Sequence, residues 1–350
     1  MIYSVLIMVC VFFIFLENSR GSERLLPYLK LGTVLVLILF IGLRYWTGPD
    51  YDSYEISYLG RSDFQFESLF NFFMTLFRRM NASYNVFLLF IAALSISIKS
   101  YVLQRYSPYF FLSLLIAVGF FLSDMGQIRY ALAISVLWLS IPFCMEKRLI
   151  PFLIILCSAV LIHQTAIVFL PVYWMRNFKL NFPVMMIIWA VCYVSSYTVL
   201  GDLVMDAFSD YSFSETAITK MDVYSENESL DTRYLISISG LIAKVGILAL
   251  VYYSNIENEN LKQLYVNIGF AGGCLMFFFS FSEILCSRLS AYFLSFDALM
   301  IPLALVAIKD NWLYYSLLII LIAKYVYQFI FQVYYNYPEM YLPYRNVLFN

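Results

Sequence analysis

The sequence predicts an all-α fold, a polytopic transmembrane bundle of about 10–12 segments, each near the 20 or so apolar residues that cross a bilayer. Three observations carry this. Of 350 residues, 62% are hydrophobic and 13% charged, too few polar groups to cover a soluble body of this size. The apolar residues fall in long runs, and in lipid only helices satisfy every backbone group within one segment. Lys and Arg are shared unequally between alternate connections, as the positive-inside rule requires of spanning segments.

Taken in order, the first run, Ile2 to Leu16, has neither a basic leader nor a small-residue cleavage site and reads as an uncleaved span. Leu31 to Leu43 follows and leads into a long polar stretch, residues 44–83. There Phe66, Leu69, Phe70, Phe73, Leu76, Phe77 and Met80 recur at helical spacing opposite Glu67, Asn71, Arg78 and Arg79. That spacing predicts an amphipathic helix over about 64–80, lying on or dipping into the membrane face. Tyr84 to Leu103, Tyr109 to Leu122 and Tyr130 to Met145 come next. Leu149 to Ile162 and Thr165 to Met175 meet at His163-Gln164 and read as a hairpin over about 149–175. Pro183 to Leu200 precedes the second long polar stretch, residues 201–233. Tyr234 to Ser254, Leu264 to Phe281, Leu289 to Ile308 and Trp312 to Tyr335 complete the set. No repeat of fixed period appears, so residues 1–350 read as one integral membrane domain.

With the N-terminus outside and every run crossing, the inner connections hold Arg20, Arg24, Lys30, Arg105, Lys147, Arg148, Arg176, Lys179, Lys262 and Lys309. The short outer connections and the tail hold Arg129, Arg288 and Arg345. Ten against three sets the orientation, and both long polar stretches fall outside. Tyr109 to Leu122 and Leu149 to Ile162 have 14 residues each, about 21 Å of helix against a hydrocarbon core of about 30 Å. Asp124 and His163 at their outer ends should therefore lie below the outer surface, which predicts an outward-facing sunken cavity.

Several function classes are excluded. A net charge of −1 does not suit nucleic acid. The six cysteines lie in or at the ends of apolar runs with no close C-x-x-C pair, so neither a disulfide framework nor a zinc site is expected. No Walker motif, dinucleotide loop, metal-ligand cluster or nucleophile elbow occurs, and the expectation is no metal and no cofactor.

The remaining chemistry lies in ionisable groups near membrane depth, which are expensive and tend to be functional. Arg44 precedes Gly48-Pro49 and the carboxylates Asp50 and Asp52, with Tyr51 and Tyr54 among them. This can hold a phosphate and a sugar hydroxyl, or serve as an interfacial aromatic belt with a snorkelling Arg. Arg129 runs against the charge bias, either as a functional cation or as a structural partner of Asp124. His163 is the single histidine; a neutral imidazole can accept a proton at pH 7, and the alternative is a hydrogen-bonded structural residue. Arg288 beside Glu283, Arg233 at the start of a run and Arg345 in the tail are further cationic candidates. Lys244 and Lys324 read as snorkelling residues. Residues 202–231 read as an acidic solvated loop whose Tyr211, Phe213 and Tyr224 could stack on sugar rings.

Read in order, these landmarks resemble the EpsG family of Wzy-type polysaccharide polymerases. The resemblance rests on Arg44-Tyr45 with Gly48, Asp50-Tyr51 and Tyr54, then Glu67, then Ile128-Arg129 with Ala131 and Ala133. It continues through His163-Gln164-Thr165-Ala166 to Leu170-Pro171, Arg288-Leu289-Ser290 with Tyr292, and Pro343-Tyr344-Arg345. Pro49 and Tyr130 depart from the pattern. The resemblance implies a GT-C-like glycosyltransferase of the bacterial inner membrane, acting on its outer face. Its donor and acceptor would be polyprenyl-pyrophosphate-linked oligosaccharides, with membrane lipid around it and a chain-length regulator protein as a further partner. It would polymerise repeat units into O-antigen, capsule or exopolysaccharide; an O-antigen ligase and a flippase of the same lipid-linked sugar are the alternatives. On this reading His163 is favoured as base, with Asp50 and then Glu67 as alternatives. Arg44, Arg129 and Arg288 would converge on pyrophosphate, Arg233 and Arg345 standing in reserve, and Tyr51 and Tyr54 would contact sugar.

Overall fold

A computed structural model describes residues 2–19, 21, 23–62, 65–198, 234 and 236–349. Arg233 and the acidic stretch over 202–231 lie outside the described residues. The described residues are 76% helical and no strand occurs among them, in keeping with an all-α polytopic membrane protein.

Two compact units are present: residues 1–167, 254–256 and 297–350 in the first, and residues 168–253 and 257–296 in the second. The first contains α1 (Ile2–Glu17), α2 (Leu26–Gly42), α3 (Tyr51–Tyr58), α4 (Ser68–Arg79), α5 (Tyr84–Tyr106), α6 (Phe110–Ile116), α7 (Val118–Met125), α8 (Ile128–Trp138), α9 (Ile141–Met145) and α10 (Leu149–Val160). The second contains α11 (Val172–Met175), α12 (Phe182–Ser195), α13 (Ile238–Tyr253), α14 (Glu259–Phe278) and α15 (Glu283–Leu294). The first unit then resumes with α16 (Asp297–Val306), α17 (Asn311–Phe331) and α18 (Pro338–Tyr341).

Among the described residues, three helical stretches are individually long and apolar enough to cross a membrane: Tyr84–Tyr106, Glu259–Phe281 and Asn311–Asn336. At 23 to 26 residues they span about 35–39 Å. Other runs form shorter helices or break. Tyr109 to Leu122 becomes α6 and α7, separated at Ala117, and Tyr130 to Met145 becomes α8 and α9. The second break falls at Leu139-Ser140, just ahead of Pro142, which lacks the N–H that would bond the Trp138 carbonyl in a continuous helix and whose ring crowds that carbonyl.

Connections of the first unit gather at two ends. At one, Tyr45 donates to the Arg345 carbonyl at 3.0 Å and Val347 to that of Leu43 at 2.9 Å. Arg44 and Asn346 thus form an isolated antiparallel bridge. Gly48, at φ +97°, lies against the Met125 carbonyl so closely that a Cβ would overlap it. At the other end, Glu17 accepts from the Phe110 and Phe111 amides at 3.0 and 2.9 Å and pairs with Lys30 at 3.1 Å. Tyr314 donates to Asn18 there at 2.7 Å.

Helix α4 turns its apolar stripe toward the start of α5. Phe77 meets Phe90 at 4.7 Å between ring centres, and Phe70 meets Phe87 at 5.7 Å. Phe72 and Met80 remain exposed. Arg78 binds α4 to α3, donating through Nε to the Tyr58 carbonyl at 2.6 Å and through Nη2 to that of Ser57, two of the carbonyls a helix end leaves unpaired.

In the second unit α12 packs closely on α14, where a Cβ at Gly273 would collide with the Trp189 ring. Small residues permit such approach between membrane helices. Trp189 Nε1 donates to the Phe270 carbonyl at 2.9 Å. Asn267 of α14 donates to the carbonyls of Met175 and Phe178. Lys244 on α13 is buried and not at a helix end.

Candidate functional site

The densest polar constellation of the first unit joins α3, α4, α8 and the turn after α10. Helix α10 ends at Val160 and the chain turns through Leu161–His163 into a 3₁₀ segment, Gln164–Phe169. The turn docks on the N-terminus of α4. Leu69, whose amide has no partner inside its helix, donates to the Leu161 carbonyl at 2.9 Å. Glu67 precedes α4 as its N-cap, and its Oε1 accepts from the Gln164 amide at 3.3 Å.

His163 Nδ1 lies 3.1 Å from the same Oε1. Arg129, in the first turn of α8, pairs through Nη1 with Oε2 of Glu67. Its Nε donates to the Tyr54 hydroxyl at 3.1 Å. The guanidinium stands 4.4 Å over the Phe66 ring, which stacks on Tyr54 at 5.5 Å, so the cation is packed as well as paired. Tyr130 meets the imidazole edge-on at 5.8 Å. The result is a continuous relay Tyr54–Arg129–Glu67–His163.

Burial acts to raise the Glu67 pKa, but the hydrogen bond from His163 and the charge of Arg129 outweigh it and hold the carboxyl at about 2. Burial raises Tyr54 above the ordinary phenol value despite Arg129, so it stays a neutral hydroxyl. An ionised carboxylate can only accept, so Nδ1 of His163 carries the proton. In the neutral ring the lone pair then lies on Nε2, the arrangement a general base requires.

Arg44 sits apart from this relay but shares α3 with it. Only 1% exposed, it donates through Nη1 to the Ile41 carbonyl at 2.7 Å, capping the last turn of α2. Its Nε and Nη2 are buried without a hydrogen-bond partner among the described residues. Tyr51 and Tyr84 lie within electrostatic reach of it, and Tyr84 donates to the Tyr51 carbonyl at 3.3 Å. Tyr51 and Tyr54, three apart on α3, share one helix face about 5–6 Å from each other. One turn of α3 thus separates the Arg44 environment from the relay.

Asp50 is exposed at the start of α3, in the left-handed region at φ 61°. Arg345 is also exposed, and its backbone carbonyl ties it to Tyr45, next to Arg44. Arg288 belongs to α15 in the second unit.

Asp124 does not partner Arg129. It pairs with Lys99 of α5, the side chains 2% and 0% exposed, and accepts from Ser95 at 2.5 Å. Ser95 and Ser135 lie 2.8 Å apart. Lys99 did not figure among the sequence candidates, although a lone lysine within the run Tyr84 to Leu103 was signal enough: a buried charge in such a run needs a partner.

Among the described residues no group of three or more His, Cys, Asp or Glu side chains could hold a metal. Comparison with curated proteins and with solved structures returns no match. The model of the EpsG family matches residues 28–346, from α2 through the relay and Arg288 to the tail segment bridged to Arg44. The chain therefore belongs to the EpsG family, a family of Wzy-type polysaccharide polymerases.

Proposed function

We infer that this chain is a membrane glycosyltransferase that extends a polysaccharide from lipid-linked oligosaccharide units on the outer face of the bacterial inner membrane. The carrying observation is the His163–Glu67 contact, braced by Arg129 and Tyr54. His163 Nε2 takes the proton of an acceptor-sugar hydroxyl as its oxygen attacks the anomeric carbon of the donor. The bond from that carbon to the carrier pyrophosphate breaks, and the pyrophosphate leaves with the bonding electron pair. Glu67 holds the ring in the required tautomer and stabilises the imidazolium that forms. Arg129 holds Glu67, and Arg44 meets the leaving pyrophosphate. Positive groups aimed at developing negative charge supply this stabilisation without a metal. The ten-to-three distribution of Lys and Arg supports the outer-face assignment.

The test is elongation in detergent, where no compartments exist and a translocator has nothing to do. Purified protein with lipid-linked repeat units should give a ladder of lengths, and His163→Ala should give none while retaining donor binding. A ladder from folded His163→Ala at the normal rate overturns the assignment of the base. No ladder from the unaltered protein, given lipid-linked repeat units isolated from cells that lack this chain, overturns the polymerase.

A further inference from the structure

A second feature of the first unit lies along α1 and α2. A cavity of about 310 Å³ is walled by these two helices, with α6 and α7 behind and Phe329 of α17 at one side. It extends along α2 from Tyr28 and Leu29 to Phe40 and Ile41. The twelve helical rises from Leu29 to Ile41 make about 18 Å, more than half of a hydrocarbon core of about 30 Å. Its lining is aliphatic and aromatic nearly throughout, so water finds few of the two to four polar partners it needs there. A volume in the range of ligand pockets, elongated and apolar, fits a flexible hydrocarbon chain.

The two ends of the cavity differ. At the Tyr28 end no buried unpartnered charge lines the cavity among the described residues. At the other end Tyr3 donates to the Tyr341 carbonyl at 3.2 Å and stands edge-on to Phe40 at 5.4 Å. Ile41, a lining residue, carries the carbonyl that Arg44 caps, and Arg44 is the buried guanidinium whose Nε and Nη2 lack a hydrogen-bond partner among the described residues. Met125, also in the lining, packs by its carbonyl against Gly48, in the loop between Arg44 and Tyr51. The groove therefore ends directly beneath the loop that joins Arg44 to α3.

We propose that this groove seats the lipid chain of the lipid-linked donor, with its pyrophosphate drawn to Arg44 at the head end. A buried cation with two unused donors is costly until an anion meets it, and a hydrocarbon chain in the groove delivers an anion to that point. Arg44 makes the fit specific to an anionic head, and the groove makes it specific to a long chain. One turn of α3 beyond, the relay would then face the sugar end of the same molecule. The head group's identity rests on the polymerase reading; the groove and its lipid do not.

The experiment is photolabelling of the full chain in phosphatidylcholine nanodiscs with a polyprenyl pyrophosphate bearing a diazirine on its chain. Adducts are expected on Cys10, Gly32 and Thr33, lining residues of α1 and α2. Unlabelled polyprenyl pyrophosphate should suppress them at least about tenfold, where equal amounts of polyprenol or phosphatidylglycerol do not. Gly32 lines the groove, and a Cβ there would meet open space. Gly32→Phe should thus project a ring into the groove from a Cβ that meets no neighbour, cutting labelling and raising KM by about tenfold. Ile154→Phe, on the exposed face of α10, should change neither. Adducts spread over exposed faces, or competed equally by phosphatidylglycerol, overturn the proposal, and the map on the unaltered chain decides even where Gly32→Phe misfolds. Groove adducts without a ladder leave the groove standing and sink the polymerase. A ladder with normal KM in Gly32→Phe and no groove adducts does the reverse.

Discussion

The imidazole of His163 donates through Nδ1 to Oε1 of Glu67 at 3.1 Å, while the other carboxylate oxygen is held by Arg129. Ninety-six positions separate the first two residues, yet the amide of the neighbouring Gln164 bonds to the same oxygen. One carboxylate thereby sets the ring's tautomer, its tilt and the position of the turn that bears it.

Glu67→Gln keeps the shape but removes the charge, and a neutral amide can present its NH₂ to Nδ1 and favour the wrong tautomer. Elongation should fall by about 10²–10⁴, the usual worth of general-base catalysis, with donor affinity nearly unchanged. Initial rates and donor binding, measured side by side, check this. A Gln variant within a factor of two of the parent rate would make Glu67 a bracket for the turn only.

Arg44→Lys retains charge and loses the planar fork. Turnover should drop by at least about tenfold, the loss tracking donor KM and kcat together, because both the bound and the leaving pyrophosphate use the site. Thermal stability checked in parallel separates this from loss of the α2 cap. If rate and KM hold in a folded Lys variant, Arg44 serves the helix end alone.

The pH dependence of stability follows from Glu67. Its carboxyl titrates at about 2 in the folded protein against an ordinary 4.5. A depressed carboxylate contributes stability that is complete above the unfolded value and is lost as pH falls through the folded one. The window is therefore about pH 5 to pH 2, with a contribution on the order of 3 kcal/mol. Melting temperatures in detergent should decline across that window more steeply in the parent than in Glu67→Gln. Parallel curves would show that Glu67 is not held down in the folded state.

Lys99 and Asp124 predict a stability effect of another kind. Removing one partner of a buried pair strands the other charge, at a cost of about 3–5 kcal/mol. Lys99→Met and Asp124→Leu should each lower folded yield and melting temperature sharply, and the double substitution should recover most of the loss. Failure of the double variant to exceed either single one would give the pair, with Ser95 and Ser135, a role beyond mutual neutralisation.

The helical membrane architecture and its family were legible in the sequence because both depend on local or composition-level signals. Apolar runs dictate helices wherever backbone groups must be satisfied internally. Short motifs such as Ile128-Arg129 and His163-Gln164-Thr165 keep their spacing along the chain. Where helices break was only partly legible, since Pro142 announces a break but Ala117 does not.

The partners of the ionisable groups were decided by tertiary structure alone. Glu67 reads in sequence as one acid on the polar face of an amphipathic helix, and Arg129 as an exception to a charge count or a mate for Asp124, five residues away. Packing α4 on α5 brings Glu67 to the turn after α10 and to the first turn of α8, and it leaves Asp124 facing Lys99. Electrostatic pairing in a low-dielectric interior acts over a few ångströms of space, whatever the separation in sequence. A linear reading names the charges, and only the packed helices determine which of them meet.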